Sequence, residues 1–195
     1  MPSVSRFPGG ALLLGGALFL LGGCSGLRPA ADPPGAVPGL AAATRVLVGV
    51  PFLPQEEDTC GPSSLAMLLR FHGKDASTRE LIEETRTAGL RGTLITDLAA
   101  AARRRGLPAE VTALDMPELR RRIVAGAPAI LLVDLGAWAW SRPHYLVAYG
   151  VTPEGVVAHS GRTEGAVISY GVLDAQWAKM GRLAIVVAPA DGNTK

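Results

Sequence analysis

The sequence predicts an α+β domain running from about Arg45 to Pro189. Helix start and stop signals crowd the stretch between residues 60 and 126, while five strand-like apolar runs crowd the stretch between 129 and 188. Helices gathered before strands, rather than alternating with them, is the α+β pattern. The size agrees: 195 residues, 48% hydrophobic and 18% charged, suffice for one domain with a core plus an appendage.

The appendage comes first. Residues 11–23, ALLLGGALFLLGG, form an apolar run too short for a comfortable membrane span, preceded by Arg6 and ended by small residues. That is the layout of a signal peptide over residues 1–23. Leu21-Gly22-Gly23-Cys24 resembles the bacterial lipobox, which implies that Cys24 is diacylated and becomes the mature N-terminus. An ordinary secretory signal or an uncleaved anchor, with Cys24 incidental, is the alternative. Ser25 after the cysteine points to the outer membrane, facing the periplasm, rather than the inner membrane. Residues 24–44 carry four prolines without apolar periodicity and read as a tether. Residues 190–195 are a polar tail.

Inside the domain, Val46–Val50 reads as a strand ended by Pro51 and Pro54. Gly61 and Pro62 fit a helix entry, and the apolar residues from Leu65 to Phe71 suit a largely buried helix closed by Gly73. Ser77-Thr78-Arg79-Glu80 is a capping box for a second helix, and Thr96 or Asp97 suits the cap of a third that ends at Gly106. A strand follows over LPAEVTAL. Asp115 to Glu118 repeats the start signal for a fourth helix, LRRRIVAG. Strand-like runs then fall at Ala129–Val133, Tyr145–Tyr149, Val156–His159, Val167–Tyr170 and Leu183–Ala188, with a helix bearing Trp177 between the last two.

Charge excludes little except nucleic acid. Without Arg6 the chain has 18 Lys and Arg against 17 Asp and Glu, a balance of +1. The triplets Arg103–Arg105 and Arg120–Arg122 fall in or late in helices and read as solvated faces, and no stacking-aromatic pattern accompanies them.

With Cys24 lipidated, Cys60 has no partner in the chain, so neither a disulfide framework nor a multi-cysteine zinc site is available. The site calls for no cofactor. Cys60 is expected at the start of the buried helix, where free amides and the macrodipole favour a thiolate and lower its pKa. Gln55, five residues earlier, is a neutral donor suited to an oxyanion. Of three histidines, His72 falls about three turns along the same helix, roughly 18 Å away. His144 opens the strand-like run HYLVAYG behind a loop with Trp138 and Trp140, and is the better base at a cleft.

QEEDTCGPSSLAMLLRFHG followed by HYLVAYG resembles the bacteriocin-processing, double-glycine peptidases of cysteine peptidase family 39. The resemblance implies a papain-like fold, with the cysteine helix packed on an antiparallel sheet. It implies Cys60 as nucleophile, His144 as base and Gln55 as oxyanion support. It narrows to a branch of bacterial lipoproteins carrying this domain. The family's usual Asp-Pro, about sixteen residues after the histidine, is replaced by Ser160-Gly161. Ser160 would then accept from His144 Nδ1–H without adding charge, with His159 or Asp134 as substitutes. The expected protein is a monomeric, membrane-tethered peptidase acting on a peptide or protein. A binding or scaffolding lipoprotein without turnover is the alternative, and an enzyme of cell-wall peptides a third, although TCGPSS lacks the Asp-Cys-Ser-Gly box of that class.

Overall fold

The computed structural model describes residues 44–188 apart from 57, 88, 90, 91 and 138. The signal peptide, Cys24, the tether up to residue 43 and the polar tail lie outside the described residues. The elements follow in order: β1 (Arg45–Val46), α1 (Cys60–Phe71), α2 (Thr78–Thr85), α3 (Ile95–Arg104), β2 (Ala109–Ala113), α4 (Met116–Val124), β3 (Ala129–Asp134), β4 (Pro143–Val151), β5 (Val156–Ser160), β6 (Thr163–Ile168), α5 (Tyr170–Ala178) and β7 (Leu183–Val187). The strands form one antiparallel sheet in the order β2-β7-β3-β4-β5-β6, and β1 pairs with the far end of β4.

The sheet is built around β3 and β4. Every residue of β3 is buried, so both its faces are covered, and α1 and α5 each pack on it. Helix α1 is buried without a break from Gly61 to Leu69, including Ser63 and Ser64. A helix buried all round is surrounded by protein, and α1 packs on β4 and against α2 and α3. Its approach to the sheet is close. A Cβ on Gly61 would lie 3.1 Å from Leu98 Cδ1 and 3.2 Å from the Tyr145 ring.

Several boundaries differ from the sequence reading. The first strand is two residues, not five: Gly49 takes φ +85°, which turns the chain and leaves Val48 94% exposed. Helix α3 begins one residue before Thr96, with Leu94 at its cap and no side-chain cap bond. Tyr170 does not extend a strand. It opens α5, and its hydroxyl donates to Thr152 O at 2.6 Å. The capping box at Ser77 and Glu80 is present in both directions, and Asp115 Oδ1 caps α4 through the Glu118 amide at 2.7 Å.

The arginine triplets are tied rather than merely solvated. Arg103 donates to Ala109 O at 2.8 Å, and Arg104 and Arg105 both hold Glu84, joining α3 to α2. Arg121 and Arg122 both hold Glu118 at 2.8 Å. Among the described residues, no helix is long and apolar enough to cross a membrane.

Candidate active site

Cys60 is the first residue of α1, preceded by a tight turn in which the Thr59 hydroxyl accepts from the Glu56 amide at 2.9 Å. The half-buried thiol lies against the backbone amides of Tyr145 and Gly61, which favour its ionised form. Burial outweighs them and pushes the Cys60 thiol up. This corrects the expectation of a lowered thiol pKa. The helix start supplies the amides, but it supplies them inside the protein, where desolvation costs the thiolate more.

His144 enters from the start of β4, opposite Val133 of β3. Its Nε2 lies 3.1 Å from Ser160 Oγ on β5. The sequence reading had put the orienting bond at Nδ1. Ser160 stands on the neighbouring strand, about 4.8 Å away in the ladder direction, so the far nitrogen of the ring reaches it. No hydrogen bond reaches Nδ1 among the described residues. Burial, with the Arg142 charge behind it, pushes His144 down to about 4. No direct hydrogen bond joins the thiol and the ring among the described residues; the Tyr145 amide brings Cys60 beside the first residues of β4.

Gln55 is 4% exposed and clamped on three sides. Its Oε1 accepts from Gly161 N at 2.7 Å, which fixes the amide orientation. Its Nε2 donates to Ser64 Oγ at 2.8 Å and to the Cys60 carbonyl at 3.3 Å. A backbone bond from Gln55 N to Gly161 O at 2.9 Å completes the tie to the β5–β6 turn. The glutamine is thus held against the cysteine's own peptide unit.

Two substitutes for the acid drop out. Asp134 Oδ1 accepts from the amides of Gly136 and Arg142, both at 2.7 Å, and its Oδ2 accepts from Ser141 at 3.0 Å. These bonds hold its carboxyl below the usual range and spend it on the β3–β4 loop, not on His144. His159 faces away from Ser160, as strand alternation requires. It is 1% exposed, its Nε2 donates to Val50 O at 3.2 Å, its Nδ1 accepts from Gly165 N at 3.2 Å, and its ring lies 4.3 Å from that of Tyr149. His72 caps the far end of α1.

Two concavities flank Asp58, two residues before Cys60. A cleft of about 550 Å³ lies on the histidine side, lined among others by Gln55, Asp58, Arg142, His144, Gly161 and Arg162. A smaller one of about 180 Å³ lies on the α2 side, with Pro62, Ile82, Arg86 and Thr93 in its wall. Gly92 and Thr93 bring the RGTLITD segment to that wall, and the Tyr145 hydroxyl holds Thr93 O at 2.9 Å. The loop before His144 lines the larger cleft through Ser141, Arg142 and Pro143. Trp140 is 83% exposed, and Trp138 lies outside the described residues.

Sequence reasoning missed Ser64, Gly161, Arg142 and the Tyr145 amide. Ser64 carried a signal: it is polar and lies four residues after Cys60 on the same helix face. The others are contacts between distant segments. Among the described residues, no cluster of three His, Cys, Asp or Glu side chains is placed to hold a metal.

Comparison with known proteins agrees with this architecture. The Pediocin PA-1 transport/processing ATP-binding protein PedD of Pediococcus acidilactici is 29% identical over 135 residues, 69% of this chain. The match spans 18% of that protein's length. A C39-like peptidase from Bacillus anthracis superposes with a TM-score of 0.63 at 19% identity, covering 75% of this chain and 98% of its own. The peptidase domain of Streptococcus ComA, a bi-functional ABC transporter involved in a quorum sensing pathway, gives 0.58 at 21%, over 74% and 98%. A double glycine motif protease from an AMS/PCAT transporter, in complex with the leader peptide, gives 0.56 at 19%, over 76% and 99%. Residues 51–191 match the Peptidase C39 family, and with Cys60 opening a helix that packs on the strand carrying His144 in an antiparallel sheet, the chain belongs to that family of cysteine peptidases.

Proposed function

We propose that this chain is a membrane-tethered cysteine peptidase that cuts a peptide after small residues through a Cys60 thioester. The observation that supports it most is that the Tyr145 amide lies against the Cys60 thiol next to His144, which is paired with Ser160, while Gln55 is clamped on the Cys60 carbonyl. Both partners are held neutral at pH 7, the thiol pushed up and the imidazole down. His144 therefore takes the thiol proton as sulfur attacks, instead of resting as an ion pair. A sulfur–carbon bond forms, the oxyanion is held by the Cys60 amide and by the Gln55 Nε2 hydrogen released from its long 3.3 Å bond to the Cys60 carbonyl, and the carbon–nitrogen bond breaks as His144 returns the proton to the leaving amine. Water then attacks the thioester, with its proton passing through His144 back to sulfur. Ser160 holds the ring without adding charge. Such a family member with an acylated Cys24 would work in the cell envelope, on the periplasmic side of the outer membrane.

A second reading has support of its own: a neutral thiol and a weakly basic imidazole suit a cleft that binds peptides without cutting them. Hydrolysis of a quenched fluorescent peptide with Gly-Gly before the cut separates the two. The peptidase reading expects cleavage by the full chain, none by Cys60→Ala, and a loss of about 10²- to 10⁴-fold in kcat/KM for His144→Ala. Binding without cleavage selects the second reading. In cells, Cys24→Ala should lose a palmitate label and leave the membrane fraction; retention there overturns the lipid tether.

A further inference from the structure

We infer that the cleft beside His144 selects peptides with an acidic residue on the leaving side of the scissile bond, and that Arg142 determines this specificity. The inference rests on the peptidase reading for which half of the substrate lies there. His144 returns its proton to the leaving amine, so the departing segment runs along the wall formed by His144, Pro143 and Arg142. That wall borders a cleft of about 550 Å³, roomy enough for several side chains.

The charges in the cleft are unequally satisfied. Glu56 is neutralised by Arg162, whose Nη2 lies 3.0 and 3.1 Å from its two oxygens. Asp58 stands at the Cys60 edge without an ion pair. Arg142 is different in its mount. Its amide donates to Asp134 Oδ1 at 2.7 Å and its carbonyl accepts from Leu135 N at 3.0 Å, so the backbone is pinned on both sides. Its side chain is exposed, and among the described residues no carboxylate lies within ion-pair distance of it. A guanidinium held at a cleft wall with its donors free is suited to a carboxylate. Its field already reaches the imidazole, where it opposes protonation.

Position follows from spacing. Arg142 is two residues before His144 on an extended chain, about 7 Å away. An extended substrate advances roughly 3.3–3.6 Å per residue, so the acidic side chain belongs at the second or third leaving position.

The test uses peptides with one acyl half and a C-terminal amide, bearing Asp, Asn or Lys at each of the first three leaving positions. Binding to the Cys60→Ala chain is read by fluorescence anisotropy, and cleavage by the wild type as kcat/KM. The expected result is about fivefold tighter binding of Asp than Asn at the second or third position, shrinking with added salt. Arg142→Gln should erase the difference, and Arg142→Glu should favour Lys. Ratios between peptides within one variant cancel any effect of Arg142 on His144 basicity. Equal binding of all three peptides, or a preference that survives in Arg142→Gln, overturns the inference. Preferential binding without wild-type cleavage overturns the peptidase reading and leaves only an Arg142-dependent preference for an acidic side chain in this cleft. A preference seen only when the C-terminus is a free carboxylate overturns the side-chain assignment.

Discussion

Ser160 supplies a hydrogen bond to His144 where the sequence resemblance implies that family members usually offer a charge. Replacing it with aspartate puts a carboxylate beside Nε2, which favours the imidazolium and raises the His144 pKa from about 4. The thiolate gains a counter-ion, so Ser160→Asp should alkylate with iodoacetamide at pH 6 at least about tenfold faster than the wild type. Unchanged alkylation would show that the carboxylate does not reach the ring. Cys60 at the helix start, Gln55 five residues before it and His144 at the head of a strand-like run are candidates read from the residues, whereas Ser160 is a candidate only through the resemblance. The ring nitrogen used, the direction of the thiol shift and the occupation of Asp134 were not legible there. Each depends on what a neighbouring strand or loop places within 3 or 4 Å, and no local pattern encodes that.

Among the elements, those with start signals of their own were read to within a residue or two. The helix after Ser77 is an example: the serine hydroxyl accepts from Glu80 N at 3.2 Å and Glu80 Oε2 accepts from Ser77 N at 3.3 Å. Ser77→Ala should therefore cost about 1 kcal/mol, a Tm drop of roughly 2–4 °C for a domain of this size, without altering peptide binding. An unchanged Tm in a thermal melt would mean that this helix end is not part of the cooperative unit. Elements without such signals were misplaced. Helix α3 starts at a leucine with no side-chain cap, and β1 stops early because Gly49 turns the chain. The β6–α5 boundary failed for another reason. Tyr170 has strand propensity, but its hydroxyl is anchored to Thr152 O and its ring lies under the Arg120 guanidinium, 4.9 Å from the centroid.

At the scale of the whole molecule, burial acts on all three histidines in one direction: His72, His144 and His159 are each lowered from the ordinary imidazole value. The unfolded chain binds protons near pH 6.5, whereas the folded chain resists them to lower pH. Stability is therefore full above about 6.5 and falls as the pH drops, for His144 down to about 4, below which its own contribution levels off. Asp134, Asp174 and Glu84, held below the usual carboxylate range, extend the loss below pH 4. Thermal melts between pH 8 and 4 should show Tm falling from about 6.5 downward, and His144→Gln should flatten part of that slope. A level Tm from 6.5 to 4.5 would contradict the burial of neutral histidines.

The sequence by itself determined the order of helices and strands and the helix that carries Cys60, since periodicity, caps and short motifs are local; its resemblance to the family nominated the side chains of the candidate site. The tertiary structure decided the rest: that β5 brings Ser160 to Nε2, that Gly161 and Ser64 lock Gln55, and that Asp134 serves a loop. It also decided that burial pushes the Cys60 thiol up and the His144 imidazole down. Ionisation is set by the solvent removed and the charges brought near, and those are properties of segments tens of residues apart that meet only in the folded chain.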